Sequence, residues 1–332
     1  MTSSELTAQA NSATAFRISS LQDLAQVLGA PLDHLEYLAR HAFSHYKPRF
    51  DGEGAKTRLL DRPSDRLKRV QELIKERILD QIELPSYVIG GVKGQEPTEH
   101  PSAHVHKPVV VTIDVRDCYR SISNRRVFEI WRGRLGCSAQ VSRLVTMLTT
   151  FQGRLPIGAP TSTLLAILRI LPAVERIAAI TEARGLTIRL YIDDLAISGD
   201  EIPNNIVTEI IREFAREGIR INRKKVTRKG SGNSQRVTGK VVNRRLAMPI
   251  ADRDKVRAAV HELTLTDSKD ALYPERYWST LGRVQNLARF HPQEGAKYNE
   301  MIAQLPKAPP LARKRGGENR GRFGASQIVP PN

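Results

Sequence analysis

Cysteine is nearly absent from this chain: Cys118 and Cys137 are the only two in 332 residues. Two thiols supply neither a disulfide framework nor the ligand set of a structural zinc site. That scarcity points to a reduced, intracellular, cytoplasmic setting. Cys118 follows closely on Asp114, but its neighbours mark it as a packing residue. Long apolar runs are missing too. No stretch reaches the roughly 20 residues that a membrane-spanning helix needs, so no membrane partner is expected. The N-terminus, MTSSELTAQANSATAF, lacks the basic start and apolar block of a secretory signal. No internal repeat is visible. Acidic residues are the last shortage: 35 Asp and Glu stand against 52 Lys and Arg, a formal charge of +17 with a pI near 10.2. Such an excess calls for a polyanionic partner, nucleic acid first and an anionic membrane surface second. The length suffices for two or three sub-domains around a substantial core.

The stretch Leu186–Asp200, LTIRLYIDDLAISGD, organises what is present. Leu186, Ile188, Leu190 and Ile192 alternate with other residues, the period of a half-buried strand. Two strands are expected, Leu186–Ile192 and Leu195–Ser198, with Asp193 and Asp194 between them. Adjacent carboxylates at a tight turn repel one another, and a bound cation relieves that cost. Taken alone, the pair would also suit a turn that favours Asp for its backbone geometry. A second stretch, Pro108–Asp117, holds a β-branched apolar run that ends in an acid, Asp114, on a strand expected to be buried on both faces. One carboxylate from a central strand and two from a neighbouring hairpin make an oxygen-rich cluster. Such a cluster suits two Mg²⁺ ions that keep positions open for substrate phosphates.

Tyr191-Ile192-Asp193-Asp194 resembles the YxDD box of reverse transcriptases. Asp114 and Tyr119, in IDVRDCYRSIS, resemble their first catalytic box, and Gly158-Ala159-Pro160-Thr161-Ser162 the box between; the three occur in family order. The resemblance implies an α+β, right-hand polymerase architecture: fingers, an antiparallel-sheet palm and a helical thumb. It implies Asp114, Asp193 and Asp194 as catalytic metal ligands for two Mg²⁺. It places Tyr119 beneath the incoming sugar, where the ring excludes a ribose 2′-hydroxyl. Arg58 aligns with the family arginine that grips the dNTP triphosphate, and Lys56 is a second candidate; a planar guanidinium suits bidentate phosphate contact. Pro160 falls on the nucleotide side, with Thr161 and Ser162 near a nucleotide or template base. Lys225, or else Lys224, takes the place of a lysine near the leaving pyrophosphate. Val237-Thr238-Gly239 resembles the VTG segment of retron enzymes, where glycine permits close approach to primer.

Along the chain, residues 1–19 are expected to be disordered. Residues 20–107 carry N-terminal helices and fingers. The first helix holds Leu21, Leu24, Ala25 and Leu28 and stops at Gly29; the second runs from Leu32 to Phe43. Strands Tyr46–Phe50 and Lys56–Leu60 flank the DGEG turn. A helix within Pro63–Ile82 buries Leu67, Val70, Ile74, Ile78 and Ile82, capped by Ser64 or Asp65. Its Lys68 and Arg69 are candidates for template-backbone contact, against the plainer reading of a solvated face. His100, His104 and His106 suggest hydrogen bonding rather than metal, with Ser102 and His106 in the family's NAxxH positions. Residues 108–245 form the palm, with a fingers segment inserted at about 124–157; Arg125–Thr150 reads as mainly helical. After the YIDD hairpin a helix carries Ile206, Val207, Ile210, Ile211 and Phe214 to Gly218. Residues 246–305 form the thumb, with helices at Asp252–Leu263 and Arg276–Leu305. There Arg253, Lys255, Arg257, Arg283 and Arg289 face a duplex, and His261 and His291 serve surface or packing. Residues 306–332 read as a basic disordered tail. Three positions depart from the family: Ile157 for a Gln, Thr163 for a Pro and Ile167 for an Asn.

The expected function is that of a retron-type RNA-directed DNA polymerase without an RNase H or integrase domain. The family implies dNTPs, a cognate structured non-coding RNA and its DNA copy, priming from an internal 2′-hydroxyl, a branched RNA–DNA product (msDNA) and an effector protein in antiphage defence. The alternatives are a group II intron or diversity-generating reverse transcriptase, and a non-catalytic RNA-binding scaffold.

Overall fold

The computed structural model describes residues 18–51 and 57–311 and divides at Leu246/Ala247 into two compact units. The first is built on a four-stranded antiparallel sheet of β3 (Val109–Asp114), β4 (Thr187–Tyr191), β5 (Asp194–Gly199) and β6 (Thr227–Gly230), in the order β4-β5-β3-β6. Central β3 accounts for its apolar run. Val111 and Ile113 share a face with Leu195 and Ile197 and join the main core, which includes helices Ser162–Glu182 and Ile206–Arg216. Val110 lies on the opposite face with Ala196, beneath Val237 and Val242. A strand covered on both sides needs no polar alternation. The helix Ser162–Glu182 buries Leu164, Leu165, Ile167, Leu168, Ile170 and Leu171, so it is apolar almost all round. Arg176 on that helix clamps the next one, meeting Glu213 and Glu217 at 2.8 Å each.

Upstream lie α1 (Leu21–Leu28), α2 (Leu32–Arg40), the two-stranded hairpin β1 (Tyr46–Asp51) and β2 (Arg58–Pro63), and α3 (Asp65–Arg77). A Ser20–Asp23 capping box starts α1, and Gly29, at φ +55°, ends it. Helix α2 stops short of Phe43: a 3₁₀ turn takes over at Ala42–His45 and leaves Phe43 on the surface. Ser64 makes no side-chain cap on α3; its hydroxyl meets His45 Nδ1 at 2.9 Å. Arg125–Thr150 is mainly helical as expected, in pieces: a π-turn at Ile130–Arg134 lies between the helices Asn124–Glu129 and Ala139–Thr149.

The second unit packs helices Ile250–Leu265, Tyr273–Ala288 and Pro292–Ala303 around Val256, Val260, Tyr273, Val284, Leu287 and Tyr298. The expected span Arg276–Leu305 breaks before Pro292, and His291, buried, accepts the Met248 amide through Nε2 at 3.1 Å. Two disorder expectations are corrected at their inner ends. Ile18 is buried in the first core, its carbonyl accepting the Ser138 amide. Residues 306–311 pack onto the second unit: Tyr273 donates to the Pro306 carbonyl, Trp278 to that of Pro309, and Ala308 is buried. The rest of both segments lies outside the described residues.

Candidate active site

Strand register makes the site. Asp114, the last residue of β3, pairs with Asp194, the first of β5, so the two lie side by side on one face of the sheet. Asp194 thus belongs to the strand, not to the turn. The connection between β4 and β5 is only Ile192 and Asp193, since Tyr191 pairs with Asp194. Val115 donates its amide to the Asp193 carbonyl at 3.1 Å, tying the hairpin tip to the end of β3. Ile192 sits at φ +59°, a left-handed conformation that a β-branched residue adopts only under constraint.

Two polar side chains hold the acids. Lys225 Nζ donates to Asp114 Oδ1 at 3.0 Å, and Thr238 Oγ1 donates to Asp194 Oδ2 at 3.3 Å. A cavity of about 210 Å³ opens here, lined by Asp114, Asp194, Lys225, Arg236, Thr238 and Gly239 with Thr112 and Ile113. Burial pushes the Asp194 carboxyl up to about 6, and the charges of Asp193 and Asp114 push the same way, against Thr238 and Lys225. A carboxylate that costly wants a cation. The donor set, all carboxylate oxygen, fits a hard divalent ion. Among the described residues no three His, Cys, Asp or Glu side chains already form a metal cage; the Asp114 and Asp194 carboxylates are turned to Lys225 and Thr238.

The other expected residues divide. Tyr119, half-buried on the short helix Cys118–Ser121, meets Thr163 Oγ1 through its hydroxyl at 3.3 Å. The departure at 163 therefore supplies a partner for the ring. Cys118 is buried and its thiol is pushed up to about 12 by that burial, as a packing residue should be. Ile157 pairs with Asp61 through both backbone groups: the Asp61 amide donates to its carbonyl at 2.7 Å and its amide to Asp61 Oδ2 at 3.3 Å. Ile167 fills the core. Pro160 is half-buried and precedes the helix. Thr161 and Ser162 are buried, and neither hydroxyl has a hydrogen-bond partner among the described residues. Val237 is also fully buried, on Val110 and Ala196; its side chain anchors the small hairpin of β7 (Arg236–Val237) and β8 (Lys240–Val241) instead of reaching nucleic acid. Thr238 and Gly239 form the tip, at φ +45° and +73°. Lys68 and Arg69 are exposed and each lies 3.6 Å from Glu72. Arg58 opens β2 opposite Asp51, and Lys56 lies outside the described residues.

Two participants carried no usable local signal. His100, not His106, reaches the site: its Nδ1 lies 2.6 Å from Thr238 Oγ1, whereas His106 is exposed and uses its backbone amide on Val242. Gly90 presses on the hairpin tip, where a Cβ would stand 2.5 Å from the Ile192 nitrogen. The loop's histidines pointed to hydrogen bonding, but nothing local set His100 beside the acids or singled out Gly90.

An antiparallel sheet backed by helices, with acids gathered at the junction of a central strand and a hairpin, defines a palm-type polymerase fold. Residues 49–239 match the family described as reverse transcriptase (RNA-dependent DNA polymerase), and the chain belongs to that family. Similar curated proteins include the retron Mx65 reverse transcriptase of Myxococcus xanthus, 27% identical over 281 residues, covering 75% of this chain and 64% of that protein. The retron Ec86 reverse transcriptase of Escherichia coli is 25% identical over 252 residues, covering 74% and 78%. The retron Mx162 reverse transcriptase of Myxococcus xanthus is 27% identical over 343 residues, covering 90% and 68%. The match to the Mx65 protein thus spans less than two thirds of that relative's length. Among solved structures, apo telomerase from Candida tropicalis aligns with a TM-score of 0.44 at 10% identity, covering 64% of this chain and 59% of that one.

Proposed function

We propose that this chain is a retron-type RNA-directed DNA polymerase that copies a structured non-coding RNA into a branched RNA–DNA hybrid. The observation that carries the reading is the register of Asp114 against Asp194, with Asp193 tied to the end of the same central strand. Asp114, Asp193 and Asp194 are the residues that would hold two Mg²⁺ ions. Bound there, the metal would neutralise the acids and stabilise charge on the phosphoryl group in transit. Lys225, which meets Asp114 at 3.0 Å, would on release give a proton or a charge to the departing pyrophosphate. Tyr119, braced by Thr163, excludes a 2′-hydroxyl from the sugar site. Arg58 and Lys56 grip the triphosphate from the fingers hairpin. On this reading 20–107 are N-terminal helices and fingers, 108–245 palm and 246–305 thumb. The +17 charge supports an RNA partner. A cytoplasmic role in antiphage defence, with an effector protein, completes the proposal; among the described residues no helix is long and apolar enough to cross a membrane.

Replacement of Asp193 and Asp194 by Asn tests the chemistry. Primer extension on an RNA template with Mg²⁺ should fall below detection while RNA affinity persists; retained extension refutes the assignment. Sequencing the nucleic acid that copurifies with the protein tests the subtype. A short branched RNA–DNA species is expected, and unbranched cDNA alone points to another class of reverse transcriptase.

A further inference from the structure

We infer that Thr238 and His100 are positioning residues, a two-link hydrogen-bond chain that fixes the Asp194 carboxylate for metal binding. The inference rests on reading Asp194 as a metal ligand.

The chain is continuous. Thr238 Oγ1 lies 3.3 Å from Asp194 Oδ2 and 2.6 Å from His100 Nδ1, and His100 Nε2 faces the Arg189 carbonyl at 3.3 Å. His100 is fully buried, its ring 5.8 Å from that of Tyr191 and 5.9 Å from that of His104. His104 is itself held by Ser198 at 2.7 Å. Proton counting sets the direction. An ionised Asp194 brings no proton, so the Thr238 hydroxyl donates to it and its oxygen is left to accept. The donor to that oxygen is the Nδ1–H of His100. With Oδ2 held, the carboxylate plane is restrained before any ion arrives.

Backbone strain points the same way. Thr238 sits at φ +45° at the tip of a two-residue turn, where Asn or Gly fits at least cost and a β-branched residue fits badly. Packing does not demand threonine there, because the buried anchor of this hairpin is the neighbouring Val237. The hairpin is further fastened by Gln235, whose Nε2 donates to the carbonyls of Lys107 and Pro108 at 3.0 Å. A strained residue on a fastened support, with its hydroxyl on an acid, has the features of a positioning device.

The test uses the full chain and two readouts. Mn²⁺ binding without RNA or dNTP is followed by electron paramagnetic resonance, and single-turnover incorporation is followed against Mg²⁺ concentration. Thr238→Val keeps the shape and removes only the hydroxyl; it should weaken Mn²⁺ binding about tenfold, the effect typical of losing a partner behind a ligand, and raise the half-saturating Mg²⁺ similarly. Thr238→Ser should stay within about twofold of the parent by the same reasoning. His100→Leu should resemble Thr238→Val, and His100→Asn, which keeps an N–H near the Nδ1 position, should recover part of the loss. Parent-like Mn²⁺ binding by Thr238→Val, or an equal loss with Ser, overturns the inference. Asp194→Asn is the separating control. If it abolishes binding while Thr238→Val does not, only the positioning chain fails; if it binds Mn²⁺ and polymerises normally, the ligand reading fails with it.

Discussion

Gly90 has no room for a side chain, and the hairpin that carries Asp193 would feel the first atom added. Residues 87–90 run along β4: the Leu190 amide donates to the Tyr87 carbonyl and the Ile89 amide to that of Leu190, both at 2.8 Å. A Cβ on Gly90 would stand 2.5 Å from the Ile192 nitrogen, 2.8 Å from Ile192 Cγ1 and 2.9 Å from the Tyr191 carbonyl carbon, where ordinary contact begins at 3.4 Å. Two of those three atoms are backbone, at a turn already strained by Ile192. Gly90→Ala must therefore move the tip or the loop by about 0.9 Å. Overpacking of this kind costs about 1–3 kcal/mol. Misplacing a reacting group by about 1 Å costs on the order of 100-fold in rate. Single-turnover nucleotide incorporation, with urea unfolding alongside, reads both. Gly94→Ala is the control: Gly94 sits at φ +84° with nothing within 4 Å of an added Cβ, so its cost is backbone strain with no push on the hairpin and the rate should hold. Full activity and parent-like stability in Gly90→Ala would show that the hairpin tip is not pinned as the structure has it.

His104 should make the fold acid-sensitive. Burial, then the charges of His100, Arg189 and Lys107, lower it from 6.5 to about 3. The unfolded chain takes up a proton below 6.5 that the folded chain refuses, so this stability is complete above that value and drains away as pH falls. Between pH 7.5 and 5 the loss is about 2 kcal/mol; His104→Gln should show a correspondingly flatter pH dependence of its urea midpoint, and parallel curves would contradict the assignment. Tyr119→Ala should cut discrimination against ribonucleotides at least about tenfold, a gain of roughly 1.4 kcal/mol for the wrong sugar, measured as the ratio of kcat/KM for dNTP and rNTP. An unchanged ratio would leave Tyr119 as packing alone. Lys225→Met should lower single-turnover incorporation by about 100-fold, the low end of the range for a proton donor, with RNA affinity nearly unchanged; a loss confined to RNA binding would recast Lys225 as a backbone contact.

Much of this protein was decided by local pattern. The apolar run of β3, the alternation in β4 and the stripes of α1, α3 and Ile206–Arg216 each name a face to be buried, because side-chain direction repeats every 2 or about 3.6 residues. Two acidic and aromatic boxes, with the Gly158–Ser162 box between them, named the family by their order, which the match over residues 49–239 then established. Pattern of that kind stops where elements meet across the fold. It could not say that Thr161 and Ser162 would turn inward, or that Val237 would be an anchor. The contact between His100 and Thr238 joins residues 138 apart in the chain, and the one between Lys225 and Asp114 joins residues 111 apart. No local period marks either pair; only strand order β4-β5-β3-β6 and the hairpin laid over its outer face bring them together. Residue types supplied the acids, and long-range packing supplied their partners.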